Sequence, residues 1–283
     1  MSPREVRLPV AWGELAGLRR ESPGRPRVIA LHGWLDNAAS FLPMLPHLPG
    51  LDLLLLDLPG HGRSAHLPAG TEYGLTTHVH AVLDAADALG WERFALLGHS
   101  MGAAIASLVA VADPSRVERL ALIETLGPLS EAPGNTASRL QQAVAASRGR
   151  AAGASLRVFP DLGLAVRARM QASQLDQANA RLFVERGTRA VAGGYVWSSD
   201  PRLTRPAPTR LAEPQVQALL AAIPCPVRFL GAEPAQSYFP EAVRDARLAV
   251  VPDATVAVIA GSHHLHMDQP ATVASFFLDF LAG

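Results

Sequence analysis

Gly98-His99-Ser100-Met101-Gly102 lies between an apolar run, Phe94-Ala95-Leu96-Leu97, and a run of mostly small residues, Ala103-Ala104-Ile105-Ala106. The apolar run is typical of a buried strand, and the small-residue run is typical of a helix. A serine between them occupies a sharp strand-to-helix turn, where the flanking glycines let the backbone bend and the helix pack close to the sheet. The pattern therefore predicts that Ser100 is a nucleophile.

The composition describes an ordinary globular protein with a substantial core. Of its 283 residues, 49% are hydrophobic and 18% are charged, and the formal net charge is zero. The zero balance gives no electrostatic reason to expect a nucleic-acid partner. All 25 basic residues are arginine, which excludes lysine Schiff-base and P-loop chemistry. The single cysteine, Cys225, excludes an internal disulfide and a multi-cysteine metal site.

The N-terminal residues lack the apolar stretch of a secretory signal. No apolar run approaches the length needed to cross a bilayer. We therefore expect a cytoplasmic protein without a membrane span.

Short apolar runs alternate with helical patterns, which predicts an α/β protein with a mostly parallel sheet covered on both faces. The predicted strands are Val6–Val10, Leu15–Arg19, Arg27–Leu31, Asp52–Leu56, Arg93–Leu97, Arg119–Ile123, Val227–Leu230 and Thr255–Ile259. The predicted helices outside the middle of the chain are Ala38–Leu45, Leu75–Leu89, Ser100–Val111, Glu213–Ala222 and Ala271–Leu281.

The regular alternation of predicted strands and helices stops in the middle of the chain. We interpret residues 127–222 as a helical cap that is inserted into a core formed by residues 1–126 and 223–283. The cap contains 12 arginines and 6 acidic residues, a balance of +6, so the core carries 13 arginines and 19 acidic residues, a balance of −6. We favour a basic cap docked on an acidic core. The alternative is a positive field that draws anionic substrates toward the site.

A serine hydroxyl needs a base within hydrogen-bond reach, and the base needs an orienting acid. The best base is His263, because it follows the last predicted strand and a glycine turn most closely. His264 and His266 lie beside it, but no carboxylate or thiol cluster accompanies these histidines in the sequence, so we expect no metal.

Two glutamates can serve as the acid. Glu124 ends the strand that follows Ser100, at the carboxyl edge of the sheet and with apolar residues on both sides. Glu233 lies just after the next strand, Val227–Leu230, and can also reach the histidine. The apolar flanks favour Glu124, and Glu233 stays open as the alternative acid.

An oxyanion needs preorganised donors, which backbone N–H groups supply at no cost of reorganisation. One predicted donor is the N–H of Met101, at the start of the helix. The other is the N–H of Trp34, in the turn His32-Gly33-Trp34 after a predicted strand. The turn-rich stretch Asp57–Ser64 is interpreted as a structural loop that borders the crevice.

Together these motifs resemble the α/β-hydrolase superfamily over nearly all of the chain outside residues 127–222. The segment His32–Phe41 is similar to that of the serine hydrolase-like proteins, which carry a similar HGWLDN sequence. The resemblance implies an eight-stranded sheet, a helical cap after the sixth strand, no cofactor, and hydrolysis through an acyl-enzyme.

The chain departs from the superfamily pattern at two positions. Many relatives carry Gly-x-x-Asp after the seventh strand, where this chain has Gly231-Ala232-Glu233-Pro234. Haloalkane dehalogenases place the acid after the sixth strand, often as Glu, and Glu124 matches that position. Dehalogenases and epoxide hydrolases use an Asp nucleophile where this chain has Ser100, so neither activity is expected.

The leading hypothesis is a serine hydrolase that cleaves a small-molecule substrate, an apolar acyl ester or similar compound. The expected pocket residues are Trp34, Phe41, Met44, Phe159, Tyr195 and Trp197. One alternative is acyl transfer, or hydrolysis of a carbon–carbon bond, on the same triad. The other is a catalytically silent binding protein that retains the hydrolase pocket.

Overall fold

The fold is built on one sheet of eight strands in the computed structural model, which describes residues 2–149 and 157–283. The sheet order is β1-β2-β4-β3-β5-β6-β9-β10. The strands of this sheet are β1 (Arg4–Val10), β2 (Gly13–Arg20), β3 (Arg27–Leu31), β4 (Asp52–Leu56), β5 (Phe94–His99), β6 (Val117–Ile123), β9 (Val227–Glu233) and β10 (Ala254–Ala260). Strand β2 runs antiparallel to both of its neighbours, and the other pairings are parallel. The predicted mostly parallel sheet of eight strands is confirmed.

Alternation along the central strands divides the core between the two faces of the sheet. Ile29 and Leu31 of β3 belong to a cluster on one face, whereas Val28 and Ala30 belong to a cluster on the other. All four side chains are fully buried. Because side chains alternate along a strand, a strand covered on both faces reads as a continuous apolar run.

Helices cover both faces and connect the strands. They are α1 (Leu75–Ala88), α2 (Met101–Ala112), α3 (Thr136–Gly149), α4 (Leu162–Ser173), α5 (Gln177–Gly187), α6 (Glu213–Ala221), α7 (Glu241–Leu248), α8 (Leu265–Asp268) and α9 (Pro270–Ala282). The predicted helix at residues 38–45 is a 3₁₀ segment, Ala38–His47. Pro43 and Pro46 lie inside it and lack the N–H donors that a regular α-helix requires. Helix α7 had no predicted counterpart.

Between β6 and β9 the chain leaves the sheet and forms helices together with a small hairpin. Strands β7 (Thr188–Val191) and β8 (Gly194–Trp197) pair antiparallel in a separate two-stranded sheet. The insertion is largely helical, as predicted, and the hairpin is an addition that the sequence did not indicate. The turn contains Gly193 and Gly194, whose φ angles of 84° and 143° favour glycine.

The inserted segment contacts the loops of the sheet through arginine. The guanidinium of Arg186 lies 2.8 Å from the buried carboxylate of Asp57 and 2.8 Å from Glu5. Arg169 pairs with Asp36 in the loop after β3. These ion pairs support docking of a basic segment on acidic loops; the field that draws anionic substrates stays a prediction.

Within the described part of the chain, no helix combines the length and the apolar character that a membrane crossing requires.

Candidate active site

Ser100 lies at the turn between β5 and α2 in a strained backbone conformation. Its φ is 52° and its ψ is −118°, a region in which a non-glycine residue costs about 1–3 kcal/mol. The neighbours of Ser100 have to be small. A Cβ at Gly102 would lie 1.9 Å from the Leu31 carbonyl oxygen, and one at Gly98 would lie 2.5 Å from the Ala103 Cα. Glycine is therefore required on both sides by close backbone approach.

Backbone hydrogen bonds hold this turn. The Ser100 N–H donates to the Ile123 carbonyl at 2.9 Å, which links the turn to the end of β6. The Ser100 carbonyl accepts from Ala103 at 2.9 Å and from Ala104 at 3.1 Å, which starts α2. Met101 is the first residue of that helix, where N–H groups have no intrahelical acceptor. Its N–H is therefore free of helical bonding, as an oxyanion donor must be.

The imidazole of His263 is oriented by Glu124. The Nδ1 of His263 lies 3.0 Å from the Oε2 of Glu124. The Glu124 side chain is 4% exposed, and its other oxygen accepts the Ala232 N–H. An Nδ1–H donated to the carboxylate leaves the lone pair on Nε2, which is the tautomer that a general base needs.

The alternative acid, Glu233, lies at the exposed end of β9, where it pairs in register with Ala260. The described residues show no hydrogen bond or ion pair between Glu233 and His263. The structure thus brings Glu124 to His263 and leaves Glu233 in solvent.

Tyr238 covers the serine and the histidine, a position that the sequence analysis missed. Its hydroxyl oxygen lies 3.1 Å from Nε2 and 3.2 Å from Nδ1 of His263, and the Ser100 side chain lies beside it. One oxygen cannot lie along the in-plane directions of both ring nitrogens, so the hydroxyl contacts the ring without a directed bond to Nε2. No direct hydrogen bond joins Ser100 to His263 among the described residues.

The Tyr238 phenol is a neutral group at physiological pH. Burial raises the pKa of Tyr238 to about 12, although the residue is 46% exposed. The hydroxyl is therefore protonated and can donate to an oxygen. In the sequence, Tyr238 is an aromatic residue in a loop after a strand, and nothing in its neighbours indicates contact with Ser100.

The turn after β3 is fixed by the buried His32. Its Nδ1–H donates to the Gly33 carbonyl at 2.7 Å, and its Nε2 accepts the Leu58 N–H at 3.0 Å. Trp34 follows, with its indole N–H donated to the Leu203 carbonyl at 3.0 Å. The role of the Trp34 and Met101 N–H groups as oxyanion donors stays a prediction.

Three of the expected pocket residues meet in the inserted segment. Phe159 forms a backbone bridge with Tyr195 and packs edge-on against Trp197 with ring centroids 5.5 Å apart. Phe41 and Met44 are fully buried in the core under the sheet. Phe41 packs against His266 with ring centroids 5.1 Å apart, and the role of Phe41 and Met44 in a pocket stays a prediction.

The stretch Asp57–Ser64 is structural, as expected. The Asp57 carboxylate accepts the N–H groups of Ala38 and Arg63, each at 2.8 Å. The Ser64 hydroxyl donates to the Asp57 carbonyl at 2.6 Å. Burial raises the pKa of Asp57, and the Arg186 guanidinium opposes that rise.

The chain is similar to known proteins in both sequence and structure. Residues 26–173 match the family described as the alpha/beta hydrolase fold. A serine hydrolase-like protein of Danio rerio is 31% identical over 287 residues, which cover 98% of this chain and 88% of the relative. The crystal structure of a hypothetical protein from Pseudomonas aeruginosa PAO1 is 40% identical, with 99% of both chains covered and a TM-score of 0.90. The thioesterase domain from the curacin biosynthetic pathway is 24% identical, with a TM-score of 0.84 over 98% of this chain and all (100%) of that domain.

Proposed function

Because this chain belongs to the α/β-hydrolase family, we propose that it hydrolyses an ester or a similar activated acyl compound through Ser100. The observation that carries the proposal is the 3.0 Å contact between His263 and the buried Glu124, beside a serine held at a strained turn. A bare serine hydroxyl is a weak nucleophile, and this pair supplies the base and the orienting acid that it needs.

In the proposed reaction the Ser100 Oγ attacks the acyl carbon while Nε2 of His263 takes the hydroxyl proton. Glu124 stabilises the imidazolium, and the N–H groups of Trp34 and Met101 bind the oxyanion. Collapse of the tetrahedral intermediate breaks the bond to the leaving group, which takes the proton from His263. Water then attacks the acyl-enzyme and gives a proton to the same nitrogen. Collapse of this second intermediate breaks the bond between the acyl carbon and the Ser100 Oγ, which takes that proton from His263, so the acid and free Ser100 are released.

The hydroxyl of Tyr238 has to move for this sequence to start. It lies 3.1 Å from Nε2 of His263 and beside the Ser100 side chain, the two groups that must react with one another. The side chain is nearly half exposed, so rotation toward solvent meets little packing. Substrate binding supplies the contacts that replace it.

We assign residues 127–222 as the cap over the core formed by residues 1–126 and 223–283. Trp34 is 54% exposed in the turn after β3, and Phe159, Tyr195 and Trp197 form an aromatic group in the cap. These side chains favour an apolar acyl group over a charged one. The serine hydrolase and thioesterase names of the relatives are consistent with acyl chemistry.

A second candidate function has one observation in its favour. The Tyr238 hydroxyl lies between Ser100 and His263, where it would block catalysis but would not impair a protein that only binds a ligand.

Acyl transfer uses the same triad and is distinguished by its products when alcohol or thiol acceptors compete with water.

The test uses a fluorescent organophosphonate, which labels an activated serine covalently, and a panel of short chromogenic esters. We expect the wild-type chain to be labelled and to turn over, and Ser100→Ala to lose both. Ser115→Ala, at an exposed position, is the matched control and should behave as wild type. Labelling that persists in Ser100→Ala would overturn the proposal. A wild-type chain that neither reacts nor turns over would support the silent binding protein.

A further inference from the structure

Directly behind the nucleophile lies a buried cluster formed by Asp36, His99 and His264. The Oδ2 of Asp36 is 3.7 Å from Nδ1 of His99 and 3.4 Å from Nε2 of His264. One potential ligand atom from each residue lies within 4.8 Å of the other two. The three residues are 4%, 0% and 6% exposed, so water does not solvate their polar atoms. The mechanism proposed above uses none of them.

The hydrogen bonding of His99 leaves a lone pair aimed at a carboxylate. Its Nε2 lies 2.8 Å from the carbonyl oxygen of His263, and a carbonyl can only accept, so this nitrogen carries the proton. With the proton on Nε2, the neutral ring carries its lone pair on Nδ1. That buried Nδ1 has no hydrogen-bond partner and faces the Asp36 oxygen.

A buried acceptor nitrogen that faces a carboxylate oxygen is costly, because the two acceptors cannot hydrogen-bond one another without a proton or a cation between them. The other oxygen of Asp36 pairs with the Arg169 guanidinium, as expected of a carboxylate that carries its charge. A cation between the carboxylate and the imidazole nitrogens removes the conflict.

Gly33 packs directly against these atoms. A Cβ at Gly33 would lie 2.8 Å from Oδ2 of Asp36 and 3.1 Å from Nδ1 of His99. A side chain at this position would therefore crowd both ligand atoms. Gly33 has an ordinary negative φ, so its glycine is not needed for backbone conformation.

We propose that Asp36, His99 and His264 bind one divalent transition-metal ion, with Zn²⁺ as the preferred ion. Two imidazole nitrogens and a carboxylate oxygen form a donor set that suits zinc. Ligand atoms at about 2.0–2.1 Å from a tetrahedral ion are about 3.4 Å apart. The distances from the Asp36 oxygen to both imidazole nitrogens already approach that value, and the pair of nitrogens has to close on binding.

Arg169 is expected to orient Asp36 and to weaken the binding of a metal ion at this site. Its guanidinium bonds the other oxygen of Asp36, which leaves Oδ2 for the ion and orients the carboxylate. Its positive charge repels a cation, so we expect binding weaker than that of a structural zinc site.

An ion at this site would connect three segments of the chain that adjoin the proposed catalytic groups. Asp36 follows β3, His99 directly precedes Ser100, and His264 directly follows His263. The absence of a metal was expected because no acidic cluster lies near residues 263–266 in the sequence. Asp36, from the other end of the chain, supplies the carboxylate.

The experiment is a titration of the metal-free full chain with Co²⁺ and with Zn²⁺. We expect one Co²⁺ per chain with the intense visible absorption of a four-coordinate ion, and a rise of Tm by a few degrees at saturating Zn²⁺. His264→Gln should weaken Zn²⁺ binding at least about tenfold. Arg169→Met should strengthen it several-fold, an effect that general loss of stability cannot produce. The exposed His47→Gln and His80→Gln variants are controls and should bind as wild type.

Anomalous diffraction from wild-type crystals grown with Co²⁺ keeps the proposal testable if a variant does not fold. An ion between Asp36 and the two histidines supports the proposal. Absence of binding, or an ion found only on surface histidines or on His263, overturns it. Binding that is unchanged in His264→Gln and weakened in Arg169→Met would also overturn it.

Discussion

The carboxylate of Glu124 lies 3.0 Å from Nδ1 of His263, although 139 positions separate the two residues in the chain. Glu124 has a φ of 70°, outside the region that a side chain of this size prefers. The strained residue follows β6 directly, and its N–H donates to the Leu230 carbonyl of β9 at 2.9 Å. This bond to the neighbouring strand fixes the Glu124 carboxylate at the carboxyl edge of the sheet, next to the loop that carries His263.

We predict that Glu124→Gln lowers kcat for a chromogenic ester by at least about a hundredfold. The amide oxygen can still accept the Ala232 N–H, which leaves the amide NH₂ facing Nδ1 of His263. That contact favours the tautomer with the proton on Nε2, which cannot act as a base. The control is Glu233→Gln, which should keep kcat within about twofold because its side chain is exposed and away from the ring. Full activity in Glu124→Gln with loss in Glu233→Gln would reverse the assignment.

The hydroxyl of Tyr238 competes with the bond between Ser100 and His263, so its removal should speed the reaction. We predict that Tyr238→Phe raises both kcat/KM and the rate of organophosphonate labelling by about twofold to tenfold, the range that corresponds to one neutral hydrogen bond. Tyr73→Phe, which removes a phenol that hydrogen-bonds Asp200 and has no proposed role in the site, is the control for loss of a phenol elsewhere. Labelling rate is the preferred measurement because it reports the serine without a dependence on product release.

The opposite result would have a definite meaning. If Tyr238→Phe lowers kcat/KM about tenfold or more while the protein remains folded, the phenol donates to the oxyanion or to the substrate instead of covering the free site. Circular dichroism of the variant distinguishes that outcome from unfolding.

The positions that could be predicted from the sequence are those determined by local rules. Ser100 lies between glycines that close packing requires, and His263 and Glu124 each follow an apolar strand. In a parallel sheet the carboxyl ends of neighbouring strands meet at one edge. Residues that directly follow predicted parallel strands can therefore be expected to lie close together, even when they are far apart in the chain.

The residues that could not be predicted depend on loop paths and side-chain direction. Tyr238 reaches the site through an irregular loop, and Asp36 meets His264 only after the sheet has formed. Phe41 and Met44 are both fully buried within the 3₁₀ segment Ala38–His47, which the sequence predicted as an ordinary helix. No periodic pattern carries that information.

Arg186 is the main electrostatic contact between α5 and the core, and its loss should destabilise the fold. The side chain is 6% exposed and pairs with the fully buried Asp57. We predict that Arg186→Met lowers the free energy of unfolding by about 3 kcal/mol, because a buried carboxylate is left without its cation. Arg181→Met is the matched control on the same helix: its pair with Glu185 is half exposed on both sides and should contribute less than about 0.5 kcal/mol. Urea unfolding measures both, and equal effects would contradict the role given to Arg186.

Buried neutral histidines should make the fold sensitive to acid, and His78 provides the test. Burial lowers the pKa of His78 to about 3, whereas an unfolded histidine titrates near about 6.5. Below about pH 6.5 the unfolded chain binds a proton that the folded chain does not, so stability decreases as pH falls from about 6.5 toward 3. Between pH 7 and pH 5 the titration of His78 lowers the free energy of unfolding by about 2 kcal/mol.

The variant His78→Phe tests this contribution. It keeps a flat ring against Tyr73 and should reduce the loss of unfolding free energy between pH 7 and pH 5 by about 2 kcal/mol. His80→Gln, at an exposed position of the same helix, should leave the loss unchanged. The measurement is urea unfolding at the two pH values, and an identical pH dependence in His78→Phe and wild type would show that His78 titrates normally in the folded protein.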